Sequence, residues 1–223
     1  MGILLDVIPG GFEVPEAFPN HAAYLRWLAV TDVPEEVRIG YINGQVWAEV
    51  MAERALVHNR IKTAIAETVG PIIRQADLGI YFGDGMLFTS KKAKFTTYPD
   101  GMYISNESMD LKKATLTGAK AGQRDTQLLG SPDLVIEVIS DYSEDKDTEW
   151  LMAGYWNAGV GEYWLVDARS EPLRFSILKR MKKEFTPVPE TGGWIESPTL
   201  KREFRFVPGK VKFGHPTYYL EVR

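Results

Sequence analysis

Apolar residues recur at helical spacing in some stretches of the chain and alternate or cluster in short runs in others, the pattern of a mixed helix and strand protein. In "NHAAYLRWLAV" the spacing is helical, and Asn20 stands as an N-cap. "VRIGYINGQVWAEVM" reads as a β-hairpin turning at Asn43-Gly44. In "ALVHNRIKTAIAETVGPIIRQADLG", Val57, Ile61, Ile65, Val69 and Ile72 share one helical face. Pro71 is predicted to kink or end that helix, and Gly79 to mark its stop.

Short strands are expected at "GIYFGD", "MLFTS" and "YPDGMYIS", the last with Pro99 at its first position and Asp100 the first residue able to project from it. Residues 106–130 are polar with little periodicity and read as a long loop. "DLVIEVIS", "EDKDTEWLMAGYWNAG" and "EYWLVDA" then form a strand, a helix and a strand. Two apolar strands joined by a helix imply a parallel, right-handed crossover. Asp141 and Glu144 suggest a capping box before that helix, and Gly159 a stop after it. The remainder reads as antiparallel strands, so the expectation is one mixed α/β domain over residues 1–223, with a core at about 35–170.

Composition narrows the chemistry. No apolar run approaches the roughly 18–20 residues of a membrane span, and "MGILLDVIPGGFEV" lacks the basic start of a signal peptide, so a cytoplasmic protein is expected. With no cysteine, disulfides, thiolate zinc sites and cysteine nucleophiles are excluded. His21, His58 and His215 show no metal-ligand spacing, so any metal would be held by carboxylates and be hard, Mg²⁺ or Mn²⁺ before Zn²⁺. A net charge of −4 argues against coating nucleic acid by bulk charge and leaves room for a local basic patch.

The run "SPDLVIEVIS" carries Asp133 and Glu137 in an otherwise apolar strand, where an unpaired carboxylate costs several kcal/mol. Residues two apart share a face, so the two acids point the same way, with α-carbons roughly 13 Å apart. That is too far to share one ion comfortably. Asp100, at the head of a strand one loop away, is the natural candidate for a second ligand beside Glu137 if the two strands are neighbours. A structural salt bridge is the other reading of Glu137, and a structural role the other reading of Asp100. Asp133 then reads either as a site acid or as a turn or capping residue at the strand's beginning.

"YPDGMYIS", "SPDLVIEVIS" and "AGYWNAGVGEYWLVDA", in that order, resemble the Uma-type family of endonucleases, in the PD-(D/E)XK, restriction-endonuclease-like superfamily. "GYINGQV" and "GGWIESPTL" resemble outer landmarks of the family, so the likeness spans roughly residues 20–215. It implies a restriction-endonuclease-like core, a mixed sheet with flanking helices and extra antiparallel strands. It also implies Mg²⁺- or Mn²⁺-dependent hydrolysis of DNA, with Asp100 and Glu137 as metal ligands and a lysine placing the attacking water.

The lysine is where the pattern breaks. The position two after Glu137 is Ile139, and the family's helical alternative falls on Leu151. The hairpin glutamate is replaced by Gly40. Lys146 is the candidate substitute lysine, or a solvated helix-end residue. Lys91, Lys92 and Lys94 are phosphate contacts or a charged turn. Glu53 and His58 are candidates for the missing ligand or base, with a structural histidine the plainer reading of His58. Tyr155, Trp156, Tyr163 and Trp164 read as core rather than as platforms for bases, since basic residues do not alternate with them.

Two functions stay open on this reading. One is a metal-dependent endonuclease acting on DNA. The other is a catalytically impaired nuclease fold that binds nucleic acid or a protein partner. Exposed β-edges also leave room for a homodimer.

Overall fold

The structure is a computed structural model describing residues 2–5, 11–34, 37–50, 56–84, 86–117, 127–139, 145–167, 169, 171–211 and 216–223, with side chains excepted at 2–5, 49–50, 56 and 145–148. Strands β1 (Gly2–Leu5) and β2 (Phe12–Pro15) precede helix α1 (His21–Leu28). The hairpin β3 (Val37–Ile42) and β4 (Gln45–Val50) leads to the long helix α2 (Leu56–Gln75). Next come β5 (Gly79–Gly83), β6 (Leu87–Ser90), β7 (Phe95–Thr97), β8 (Gly101–Ser105), the short helix α3 (Asn106–Asp110), β9 (Ala114–Thr117) and β10 (Gln127–Gly130). The expected strand–helix–strand unit is β11 (Leu134–Ile139), α4 (Asp145–Ala158) and β12 (Glu162–Asp167). Six strands follow: β13 (Arg174–Arg180), β14 (Phe185–Pro187), β15 (Glu190–Thr191), β16 (Trp194–Ser197), β17 (Arg202–Pro208) and β18 (Tyr218–Val222).

Two six-stranded mixed sheets run in the orders β14-β13-β12-β11-β8-β5 and β4-β3-β7-β6-β10-β9, beside a four-stranded sheet β15-β16-β17-β18. β11 pairs with β12 in parallel and with β8 antiparallel, which makes it a central strand. Its alternate residues enter two cores. Leu134, Ile136 and Val138 pack with Ile61, Ile65, Val69 and Ile73 of α2. Val135 packs on the other side, with Tyr155 of α4 and with Phe88, Phe95 and Leu128 of the second sheet. Burial on both faces explains the near-continuous apolar run in the sequence. α1 lays Tyr24 over Val37, Ile39 and Tyr41 in a third cluster. Among the described residues no helix is long and apolar enough to cross a membrane.

Local signals held where the chemistry was short-range. Asn43 and Gly44 adopt φ of 50° and 84°, the left-handed pair that a tight hairpin turn requires. The Asn20 side chain accepts from Ala23 N at 2.9 Å. Gly159, at φ 95°, ends α4, with Val160 N donating to Tyr155 O.

Three expectations need correction. α2 does not end at Pro71 but runs on to Gln75, because Ile72 and Ile73 continue the packed face. It stops at Asp77, at φ 48°, with Leu78 N donating to Ile73 O, and Gly79 instead opens β5, where a Cβ would strike the Ile104 carbonyl. The polar stretch from Asn106 is not a loop throughout. Ser105 caps α3 by accepting from Ser108 N, and β9 pairs with β10. These elements are too short for periodicity to register. The proposed capping box at Asp141 and Glu144 lies outside the described residues.

Candidate active site

Pairing between β8 and β11 stops at Gly101↔Ile136, so the next positions, Asp100 and Glu137, face each other just past the last rung. There the strands separate. The Val138 N–H, which a continued ladder would use, donates instead to Asp100 Oδ2 at 2.9 Å. β5 pairs with the other edge of β8 as far as Gly83↔Gly101, and Asp84 N then donates to Asp100 O at 3.0 Å. Asp84, Asp100 and Glu137 therefore stand at neighbouring positions along three adjacent strands.

α2 supplies the cationic side. His58 and Lys62, one turn apart on that helix, both reach Asp100. His58 Nε2 lies 3.2 Å from Asp100 Oδ2 and Lys62 Nζ 3.5 Å from Asp100 Oδ1. Lys62 also donates to Asp84 Oδ2 at 2.8 Å, and Arg38 of β3 to Asp84 Oδ1 at 2.6 Å. Burial alone would raise the Asp84 carboxyl, yet Lys62 and Arg38 together hold it below its ordinary value.

Glu137 behaves in the opposite way. Burial, then the charge of Asp100, push its carboxyl well above the usual range, against the pull of the Tyr155 hydroxyl, the Asp100 backbone and Arg38. Tyr155 donates its hydroxyl to Glu137 Oε1, and burial followed by the charge of Glu137 keeps that phenol protonated. The Tyr163 hydroxyl and the Trp47 indole N–H are buried with no partner among the described residues.

Lys62 and His58 stand beside Asp100, yet Asp100 and Glu137 still repel each other, and a hard divalent cation would offset that repulsion. The donor set fits such an ion. Among the described residues no cluster of three His, Asp or Glu side chains is arranged around one point. An ion here would take two carboxylates and complete its shell with water or phosphate oxygens, the habit of Mg²⁺.

The other expected residues fall elsewhere. Asp133 is taken up by capping, accepting from Ser105 N at 2.7 Å and from Ser108 Oγ at 2.6 Å. Lys146 lies in the first turn of α4, its side chain outside the described set, and Glu53 lies outside the described residues altogether. Ile139 is buried and Leu151 packs against the α4 core, so neither position leaves a gap for a lysine. At Gly40 the Trp47 indole, paired across the hairpin, occupies the space a side chain would need. Tyr155, Tyr163 and Trp164 are buried in the core, and Trp156 packs against it half-buried beneath the Arg180 guanidinium.

A family model described as "Putative restriction endonuclease", Uma2, matches residues 21–206. The chain belongs to the Uma2 family. The Uma2 likeness extends to the fold. A crystal structure of a "putative nuclease belonging to DUF820" from Anabaena variabilis superposes with a TM-score of 0.58 at 14% identity, covering 82% of this chain and 90% of that one. A search of curated proteins gave no significant match. The architecture is thus a restriction-endonuclease-like nuclease fold, in a family that generally works with a divalent metal.

Sequence reasoning about this Uma2 member passed over Lys62, Asp84 and Arg38. A signal for Lys62 was present: it is four residues after His58, on the same helical face. Asp84 and Arg38 carried none, because their meeting depends on which strand ends lie side by side.

Proposed function

We propose that the protein is a divalent-metal-dependent endonuclease hydrolysing DNA phosphodiester bonds, with Asp100 and Glu137 holding the metal and Lys62 standing in for the absent lysine. The observation that carries this reading is the Lys62 ammonium, 3.5 Å from Asp100 and anchored by Asp84. A Mg²⁺ or Mn²⁺ ion bound there would polarise the scissile phosphate and acidify a water. Val138 N–H and His58 fix Asp100 Oδ2, and Tyr155 fixes Glu137, so both carboxylates are held in place before substrate arrives. Lys62 presents positive charge where negative charge builds on the phosphate. Lys146 is the alternative cation.

A second reading, a nuclease fold that binds without cutting, is favoured by Gly40, whose acid-bearing place Trp47 fills. Plasmid DNA incubated with Mg²⁺ or Mn²⁺ and either wild type or Glu137→Ala separates the two. Nicking by wild type and none by the variant supports catalysis. If wild type leaves the plasmid intact, or the variant cuts equally well, the catalytic reading is lost.

A further inference from the structure

A cavity of about 1630 Å³ opens between α1, β3 and the turn joining β6 to β7. Among the described residues, its lining carries four cationic side chains, Arg26, Arg38, Lys91 and Lys94, against one carboxylate, Asp32. Among the described lining residues that is a local excess of +3, in a chain whose net charge is −4. Such a concentration of one sign is not what bulk composition delivers. Arg26, Lys91 and Lys94 make no ion pair among the described residues.

The cavity is joined to the acidic cluster. Arg38 lines it and donates to Asp84, which receives Lys62, which in turn approaches Asp100. Tyr98, two residues before Asp100, lines it beneath the Arg38 guanidinium. Its wall also holds two polar groups, the Thr117 hydroxyl and Gln127 Oε1, that are buried without partners among the described residues. His21, also in the lining, is drawn down to about 4 by burial and then by Lys91 and Lys94, so it adds no charge at neutral pH.

We propose that this cavity is the track for the sugar–phosphate backbone of DNA leading to the cleavage site, with Lys91, Lys94 and Arg26 as its phosphate contacts. The proposal rests on the nuclease reading for its substrate, but it concerns binding and is tested without cleavage. Phosphate contacts act through counterion release, so each lysine lost lowers the slope of log affinity against log salt by about 1.

The test is fluorescence anisotropy of a labelled DNA duplex with the full chain in EDTA, over about 50–200 mM salt. Wild type is compared with the double variant Lys91→Ala/Lys94→Ala and with Lys182→Ala/Lys183→Ala. The second pair removes equal charge from an exposed turn outside the cavity. The expected result is a slope about 2 smaller and several-fold weaker binding for the first variant alone. Equal effects of the two variants, no effect of either, or no measurable binding by wild type overturns the proposal. If plasmid nicking fails while the cavity variant still loses affinity, the nuclease reading falls and the track stands. All four lysines are exposed, so the variants should fold, and circular dichroism is the check.

Discussion

Replacing Lys62 with methionine keeps the aliphatic stem and removes the ammonium from between two acids. Nζ lies 3.5 Å from Asp100 Oδ1, on a side chain that is 15% exposed. At an effective dielectric near 20, unit charges at that separation interact by about 4.7 kcal/mol, which is a ceiling before desolvation and screening. A contact of the same length from the ammonium to the phosphate, formed in the transition state, would at about 1.4 kcal/mol per decade bound the effect on rate near 10³-fold. Removing one preorganised donor from a transition state typically costs about 10²- to 10³-fold, within that bound. The expected loss for Lys62→Met is therefore about 10²- to 10³-fold in single-turnover DNA cleavage at saturating protein and metal. Lys62→Arg should recover part of it. Stability should fall by about 1–3 kcal/mol, since Asp84 is 41% exposed and keeps Arg38 at 2.6 Å, while Asp100, 11% exposed, keeps the Val138 N–H and His58. Taking a cation from beside two carboxylates should also lower the Mg²⁺ concentration needed for half-maximal rate, a shift that merely lost positioning would not produce. A Lys62→Met rate within about threefold of wild type would refute the reasoning and leave Lys62 as a clamp between Asp84 and Asp100.

Restoring the family's acid by Gly40→Glu should destabilise the fold by about 1–3 kcal/mol or more, because the new Cβ collides with the Trp47 indole. Adding Trp47→Ala should return part of that loss in urea melts; an additive pair would contradict it. Glu162 is buried and accepts from Trp164 Nε1 at 2.5 Å, Ser197 Oγ at 2.7 Å and Thr199 N at 2.8 Å. Glu162→Ala strands all three donors and should cost about 3–5 kcal/mol in chemical denaturation; a cost under about 1 kcal/mol would show that they find other partners. His21 is held near pKa 4, below its ordinary 6.5, so on acidification the unfolded chain takes up the proton first. Stability is then fully present above about pH 6.5 and falls by about 1.4 kcal/mol per unit as pH drops toward 4. His21→Gln, which can still bond Thr96, should flatten that dependence between pH 7 and pH 5; an unchanged slope would place the titration elsewhere.

Much of the fold was legible because its causes are local. The α2 face, the Asn43–Gly44 turn, the Asn20 cap and the Gly159 stop depend on residues within one or two turns of each other. α3, β9 and β10 were not legible, being runs of four or five residues whose formation is decided by what they pack on. The site divides in the same way. Asp100 and Glu137 were conspicuous as acids at the head or in the middle of apolar strands. His58 has a structural histidine as its plainer reading in the sequence, and only its position 3.2 Å from Asp100 brings it to the acids.

By itself, then, the sequence determined a mixed α/β chain with a parallel crossover and two acids that need a partner, since periodicity and burial cost act along the chain. Tertiary structure alone decided what the partner is. Along the sequence the places for the missing lysine are Ile139, Lys146 and Leu151, all within fourteen residues of Glu137. The cation at Asp100 comes from Lys62, 75 positions before Glu137, on a helix brought there by packing Ile61 and Ile65 against β11. Helix packing and strand register set distances between remote residues, and neither is written in the spacing of residues around a motif.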